Sequence, residues 1–266
     1  MRVLWLFAHP EQRSLNASLR DEGLAALAEQ RHEYQVSDLY AMGWNPLVTD
    51  ADFAHEQDSR LVVGEVASAA HAAGRLSADI RAEQRKLAWA DTVVVQFPLW
   101  WYGMPAILKG WFDRVFVKGF AFGITDEQGR TLRYGQGPLA GKRAMIVVSS
   151  GAREASLGPR GINGELTELL FPIQHGTMWY TGMSVVPPVL VAGADRMSEA
   201  GFVASAAQLR ERVLGIWDSE PLAFRYQNSA DYDADLVLRA DLAPAHEGLG
   251  VHYGAADRLA APAVAS

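Results

Sequence analysis

Cysteine is missing altogether from the 266 residues. That excludes disulfides, thiolate nucleophiles and cysteine-ligated metal sites. Positive charge is also short: 24 Lys and Arg stand against 31 Asp and Glu, for a net charge of −7. A general nucleic-acid binder needs a basic face to neutralise phosphates, so no nucleic-acid partner is expected, although a local pocket for a phosphorylated cofactor is still allowed. Long apolar runs are lacking as well. The first one, Val3 to Ala8, holds only six residues before His9, too few for a signal core or a membrane span. The reading is a soluble cytoplasmic protein with no membrane partner. His71, His175 and Glu56 show no ligand spacing, so no metal is expected. Ser149 and Ser150 lack the G-x-S-x-G setting of a hydrolase nucleophile.

What is present is alternation. Val3–Ala8, Thr92–Phe97 and Ala144–Ser149 are short runs apolar on both faces, as in central strands of a parallel sheet. Tyr34–Leu39 is a mixed strand candidate, and Ser184–Val191 carries Pro187 and Pro188, which remove ladder donors and favour a sheet edge. Helical stripes lie between them: Ala17, Leu24, Leu27, Ala28; then Ile80, Leu87, Ala88 behind a capping Ser77; then Ile107 to Phe116 between Pro105 and Gly119. Leu166, Leu169, Leu170, Ile173 and then Phe202, Ala206, Leu209, Val213, Ile216 complete the set. Five βα repeats of this kind predict an α/β, doubly wound, five-stranded parallel sheet in the flavodoxin-like order 2-1-3-4-5. Residues 1–220 form that domain. Met42–Gly74 reads as an insertion, helical around Ser59–Ala73. Residues 221–266 read as a C-terminal extension, an arm associated with a dimer or a mobile tail.

In open α/β sheets ligands sit beyond the carboxyl ends of the strands. The loop His9–Asn16 leaves a strand and enters a helix, whose free N–H groups and dipole suit a phosphate; Ser14 is equally an ordinary N-cap. Phe97-Pro98-Leu99-Trp100-Trp101-Tyr102-Gly103 places three adjacent aromatics at a strand end. Neighbours point in different directions, so not all three can be core, and a flat apolar wall suits a ring system such as an isoalloxazine or quinone. Ser149-Ser150-Gly151-Ala152-Arg153 lets backbone approach a flat ligand closely.

At these loops the sequence resembles the NAD(P)H:quinone oxidoreductases, the DT-diaphorase-like flavodoxin-fold enzymes. QFPLWWYGMPAILKGWFDRVF, Gln96 to Phe116, is very close to the longest signature of that family, and Phe171-Pro172-Ile173-Gln174 and Ile216 to Leu222 match further segments. The resemblance covers roughly residues 2–225. It implies a homodimer with shared active sites, using FAD rather than FMN, with NADPH or NADH as donor and a quinone as acceptor. By position, His9, Ser14, Leu15 and Asn16 would hold the FAD diphosphate. Pro98, Leu99, Trp100, Trp101 and Tyr102 would line the ring, and Ser149, Ser150 and Gly151 would meet its polar edge. Phe122, Ile124 and Tyr180, together with Trp101, would line the acceptor pocket.

The departures from the family fall on catalysis. Its tyrosine and histidine after the small-residue run correspond to Leu157 and Asn163. Leu157 donates nothing, and Asn163 donates without carrying a proton. The charge-stabilising role therefore falls to backbone amides of Ser150, Gly151, Ala152 and Arg153, with the Asn163 or Arg153 side chain assisting. A second glycine of the family is Ala152, whose N–H is expected to be available. A second pocket tyrosine is Ile124, which makes the pocket more apolar and favours a hydrophobic aromatic acceptor. Two other classes fit the same residues: a tailoring reductase for one polycyclic substrate, and a non-catalytic flavin or nucleotide sensor.

Overall fold

The computed structural model describes residues 1–55 and 59–254. Within them the chain alternates strand and helix. β1 (Arg2–Phe7), β2 (Glu33–Asp38), β3 (Thr92–Pro98), β4 (Arg143–Ser150), β5 (Ser184–Val185) and β6 (Val189–Ala192) form one parallel sheet. α1 (Leu15–Glu29), α2 (Val63–Ala72), α3 (Ala78–Trp89), α4 (Ala106–Val115), α5 (Leu166–Ile173) and α6 (Glu199–Leu214) cover it. The order is β2-β1-β3-β4-β5, with β6 also on β4. The expected topology is therefore found, with one correction. The fifth strand is two short segments rather than one, because Pro187 and Pro188 sit where ladder donors would be.

Side chains alternate across the sheet with the period of a strand. Val3, Trp5 and Phe7 face the layer of α1 and α6. Leu4, Leu6 and Ala8 face the opposite layer, with Ile80, Leu87, Leu108 and Trp111. Trp5 lies so close to α1 that a Cβ on Gly23 would come within 2.2 Å of its ring. Gly23 is thus fixed by packing, not by backbone conformation.

The insertion is helical at Val63–Ala72 and is anchored by charge. Asp52 and Arg114 form a buried bidentate pair, and the same guanidinium reaches Asp79 at 2.8 Å and the Asn45 carbonyl at 3.0 Å. Ser77 occupies the N-cap position of α3, but its hydroxyl donates to Asp79 at 2.5 Å instead of accepting from the helix. The sequence expectation of a capping side chain is corrected there: the hydroxyl is turned to donate to Asp79, and its oxygen faces the Arg114 guanidinium at 3.5 Å instead of a helix N–H.

After α5 the chain makes one π turn, Gln174–Trp179. The stretch beyond Glu220 then folds back onto it. Leu222 and Phe224 are buried, Trp179 Nε1 donates to the Arg225 carbonyl at 3.2 Å, and Phe224 bridges Tyr253. The last part of the proposed tail, 255–266, lies outside the described residues, as does Glu56. Among the described residues no helix is long and apolar enough to cross a membrane.

Candidate active site

The carboxyl ends of β1, β3, β4 and β6 open onto one cleft of about 460 Å³. His9, Ser14, Leu15 and Asn16 form one wall, Pro98, Leu99 and Trp100 another, and Ser149, Ser150 and Gly151 the floor. Ala194 and Asp195 close the far side. Sequence reasoning missed these last two. The rule that picked the other loops, the end of a strand, also applies to β6, whose exit is this turn.

Each wall has a local cause. Ser14 is the N-cap of α1, extended at φ −77°, and its hydroxyl accepts the N–H of Ala17 at 3.2 Å. The N–H groups of Leu15 and Asn16 have no acceptor among the described residues. Cap and ligand readings therefore coexist: Ser14 caps one donor, and the two beside it are left for an anion at the positive helix end. His9 Nδ1 lies 3.1 Å from the Glu11 N–H and 3.2 Å from the Glu11 carbonyl, so the ring is pinned to the loop through Nδ1. Arg13 adds no charge to the cleft, because Glu11 holds it outside.

Asn16 is tied to the sheet from below. Its amide and the Ser149 hydroxyl exchange hydrogen bonds at 2.9 and 3.1 Å. Gln96, fully buried, donates to the Asn16 carbonyl at 2.7 Å and accepts from Trp5 Nε1 at 2.9 Å. This relay fixes the first turn of α1 against β3 and β4. At Gly151 a Cβ would lie 2.0 Å from the carboxylate of the exposed Asp195, so a larger residue there would have to push that side chain aside.

Only one of the three adjacent aromatics enters the cleft. Trp100 lines it, 6.3 Å from the His9 ring. Trp101 and Tyr102 are the tip of a tight turn closed by two hydrogen bonds between Trp100 and Gly103, with φ of 49° and 61°. Two successive left-handed residues make a type I′ turn, which normally takes Asn-Gly. With Trp and Tyr it costs on the order of 1–2 kcal/mol per residue, a strain found where function holds it. Trp101 is 98% exposed. Tyr102 donates to Asn163 Oδ1 at 3.0 Å, and Asn163 donates to the Ser156 hydroxyl at 2.9 Å. The loops after β3 and β4 are joined at that point, and one N–H of Asn163 is left over.

The other expected residues stand elsewhere. Ala152 lies off the cleft, and its N–H goes to the Ser150 hydroxyl at 3.2 Å, so the expectation of a free amide is corrected. Arg153 lies outside the cleft, its carbonyl accepting from Ser156. Leu157 is buried in the core. Phe122 and Ile124 sit on the turn after α4, and Tyr180 packs edge-on to Tyr134 at 5.1 Å; none of the three lines the cleft of its own chain.

A second cleft, about 390 Å³, lies between the π turn and the C-terminal segment. His175 lines it, and burial with His252 nearby depresses its pKa to about 4. The ring is therefore neutral when folded and protonates more readily when unfolded. Its contribution to stability is full above about pH 6.5 and is lost progressively as pH falls toward 4. Between pH 7 and pH 5 the loss is about 2 kcal/mol. Urea melts of the protein and of His175→Phe check this: the variant should lose that part of the pH dependence.

Compared with known proteins, the model of the flavodoxin-like fold family matches residues 1–213. A ribosyldihydronicotinamide dehydrogenase-like protein of Penicillium crustosum is 43% identical, covering 95% of each chain. NAD(P)H dehydrogenase [quinone] 1 of Rattus norvegicus is 35% identical over 91% of this chain and 87% of its own. A solved structure of a candidate quinone reductase from Klebsiella pneumoniae superimposes with a TM-score of 0.91 at 45% identity, covering 96% of this chain and 100% of that one.

Proposed function

The chain belongs to the flavodoxin-like fold family, and on that premise we propose that it is a flavin-using NAD(P)H oxidoreductase that passes two electrons to a quinone or a similar hydrophobic aromatic acceptor. The observation that carries this reading is the convergence of four strand ends on one cleft that pairs a helix N-terminus with an aromatic wall and a bare backbone floor. Similarity to quinone dehydrogenases over most of the chain supports it.

A bound flavin would supply the hydride-accepting and electron-passing chemistry. The residues supply position and field. Leu15 and Asn16 offer N–H groups to a phosphate, and His9, pinned through Nδ1, stands in the same wall. Trp100 gives the ring an apolar flank, while Ser150 and Gly151 present backbone to its polar edge. Asn163 does not line the cleft of its own chain, but its second side-chain N–H, oriented by Tyr102 and Ser156 beside the aromatic turn, is the donor we assign to negative charge that develops during reduction. We assign FAD over FMN on the length of the chain. In equilibrium dialysis FAD should bind at least about tenfold tighter, worth about 1.4 kcal/mol.

The acceptor-side residues Phe122, Ile124 and Tyr180 do not line this chain's cleft, which fits a homodimer in which each copy completes the other's site. Trp101, Tyr102 and Ile162, exposed around the Tyr102–Asn163 bridge, give that dimer an apolar face to cover.

Purified protein should be yellow, bleach anaerobically with NADH or NADPH, and recover its colour with a quinone. Flavin that stays oxidised with both nicotinamides would make the chain a sensor and defeat the enzyme reading. In stopped flow, Asn163→Ala should slow the bleaching about tenfold, the value of one charge-directed donor. An unchanged rate removes Asn163 from the mechanism.

A further inference from the structure

The second cleft is built around a polar side chain with nothing to bond. His175 is 8% exposed and lines the cleft, yet among the described residues neither ring nitrogen has a hydrogen-bond partner. Phe171 stacks on it at 4.5 Å, and Tyr134 and Phe224 pack at 5.0 Å. The ring nitrogens are not sealed in the core as the neighbouring Gln174 amide is, so they remain open to a hydrogen-bonding group that enters the cleft.

Charge in the cleft is unbalanced too. Arg225 is spent, held by Asp231 at 2.7 Å and the Val251 carbonyl at 2.9 Å. Arg133 touches only the Gln227 side chain, through Nε, and lies near the Tyr134 ring. Its two terminal nitrogens have no partner, and no carboxylate pairs with it among the described residues. A guanidinium fork with both ends free matches a carboxylate in a planar, two-bond geometry.

We propose that this cleft binds a planar aromatic carboxylate, its acid group on Arg133, its ring against Phe171 and Tyr134, and a polar atom toward His175. The size and the aromatic walls suit roughly two or three fused rings. The cleft shares no residue with the one beside α1 in the same chain. The inference therefore does not rest on the flavin reading. Tyr232, bonded to His252, and Leu236 close the outer side of the cleft, so the C-terminal segment becomes part of a binding site.

The test uses a redox-inert pair, 2-naphthoate and its neutral counterpart 2-naphthamide, titrated calorimetrically into the full-length protein with excess FAD present. Naphthoate should bind at least about tenfold tighter than the amide. Arg133→Gln should remove that difference while leaving naphthamide affinity, thermal midpoint and flavin content unchanged. His175→Phe, which keeps the stacking, should weaken naphthoate severalfold. Equal binding of acid and amide overturns the proposal, as does naphthoate binding that Arg133→Gln leaves intact. A protein that retains no flavin leaves both naphthoate criteria in force, since they read Arg133 and not colour.

Discussion

Arg114→Leu should lower the unfolding free energy by about 3–5 kcal/mol, because it strands the buried Asp52 carboxylate without its counter-charge. For a chain of this size that corresponds to a fall in melting temperature of roughly 6–20 °C. The guanidinium is 3% exposed and holds four groups at once: both oxygens of Asp52, the Asn45 carbonyl and Asp79. It also lies 4.5 Å from the Trp44 ring centre. Burial works against its charge, yet the carboxylates win, and its pKa is held above the ordinary arginine value. The double variant Asp52→Asn/Arg114→Leu should recover part of the loss, since the stranded charge is then gone. A melting temperature within 2 °C of the parent, read by calorimetry, would reduce the pair to the worth of a surface contact.

Gln96→Met should act on the site as well as the fold. It removes the acceptor of Trp5 Nε1, the only one among the described residues, and a side-chain donor to the Asn16 carbonyl, both in the core. The Asn16 carbonyl keeps its helical partner in α1, so the cost is that of one orphaned buried indole N–H, on the order of 1–3 kcal/mol. Asn16 and the start of α1 then lose their lower anchor, and flavin affinity should fall about tenfold or more, measured by fluorescence quenching on reconstitution. The reduction rate of the flavin that does bind should stay within about twofold, because among the described residues the Gln96 side chain bonds only Asn16 and Trp5. A rate loss without an affinity loss would show that the relay tunes chemistry instead of position.

The strands were legible because β1, β3 and β4 are short, apolar on both faces and bounded by polar turns. Their exits, and with them ten residues of the cleft, followed from the carboxyl-end rule. Other features depend on contacts remote in sequence. The Gln96–Asn16 and Asn16–Ser149 bonds span 80 and 133 positions. Nothing near Asn16 announces them. Trp101 and Tyr102 looked like walls of the site because aromatics favour ligands. Whether they turn inward depends on two positive φ angles that neither residue type signals. Ala152 failed for a local reason: the Ser150 hydroxyl, two residues earlier, captures its N–H. Asp195 was reachable in principle, but the broken fifth strand disguised where that strand ends.

The break at Pro187 and Pro188 reaches beyond topology. β5 and β6 hold one margin of the sheet, and an unbroken margin there would present a row of free donors and acceptors to any other chain. Two prolines in succession delete the donors at its midpoint, and Arg212 covers the Pro187 carbonyl at 2.5 Å. A passing strand finds two short landings and no continuous ladder. The molecule can thus expose this flank at high concentration without recruiting its neighbours into a growing sheet.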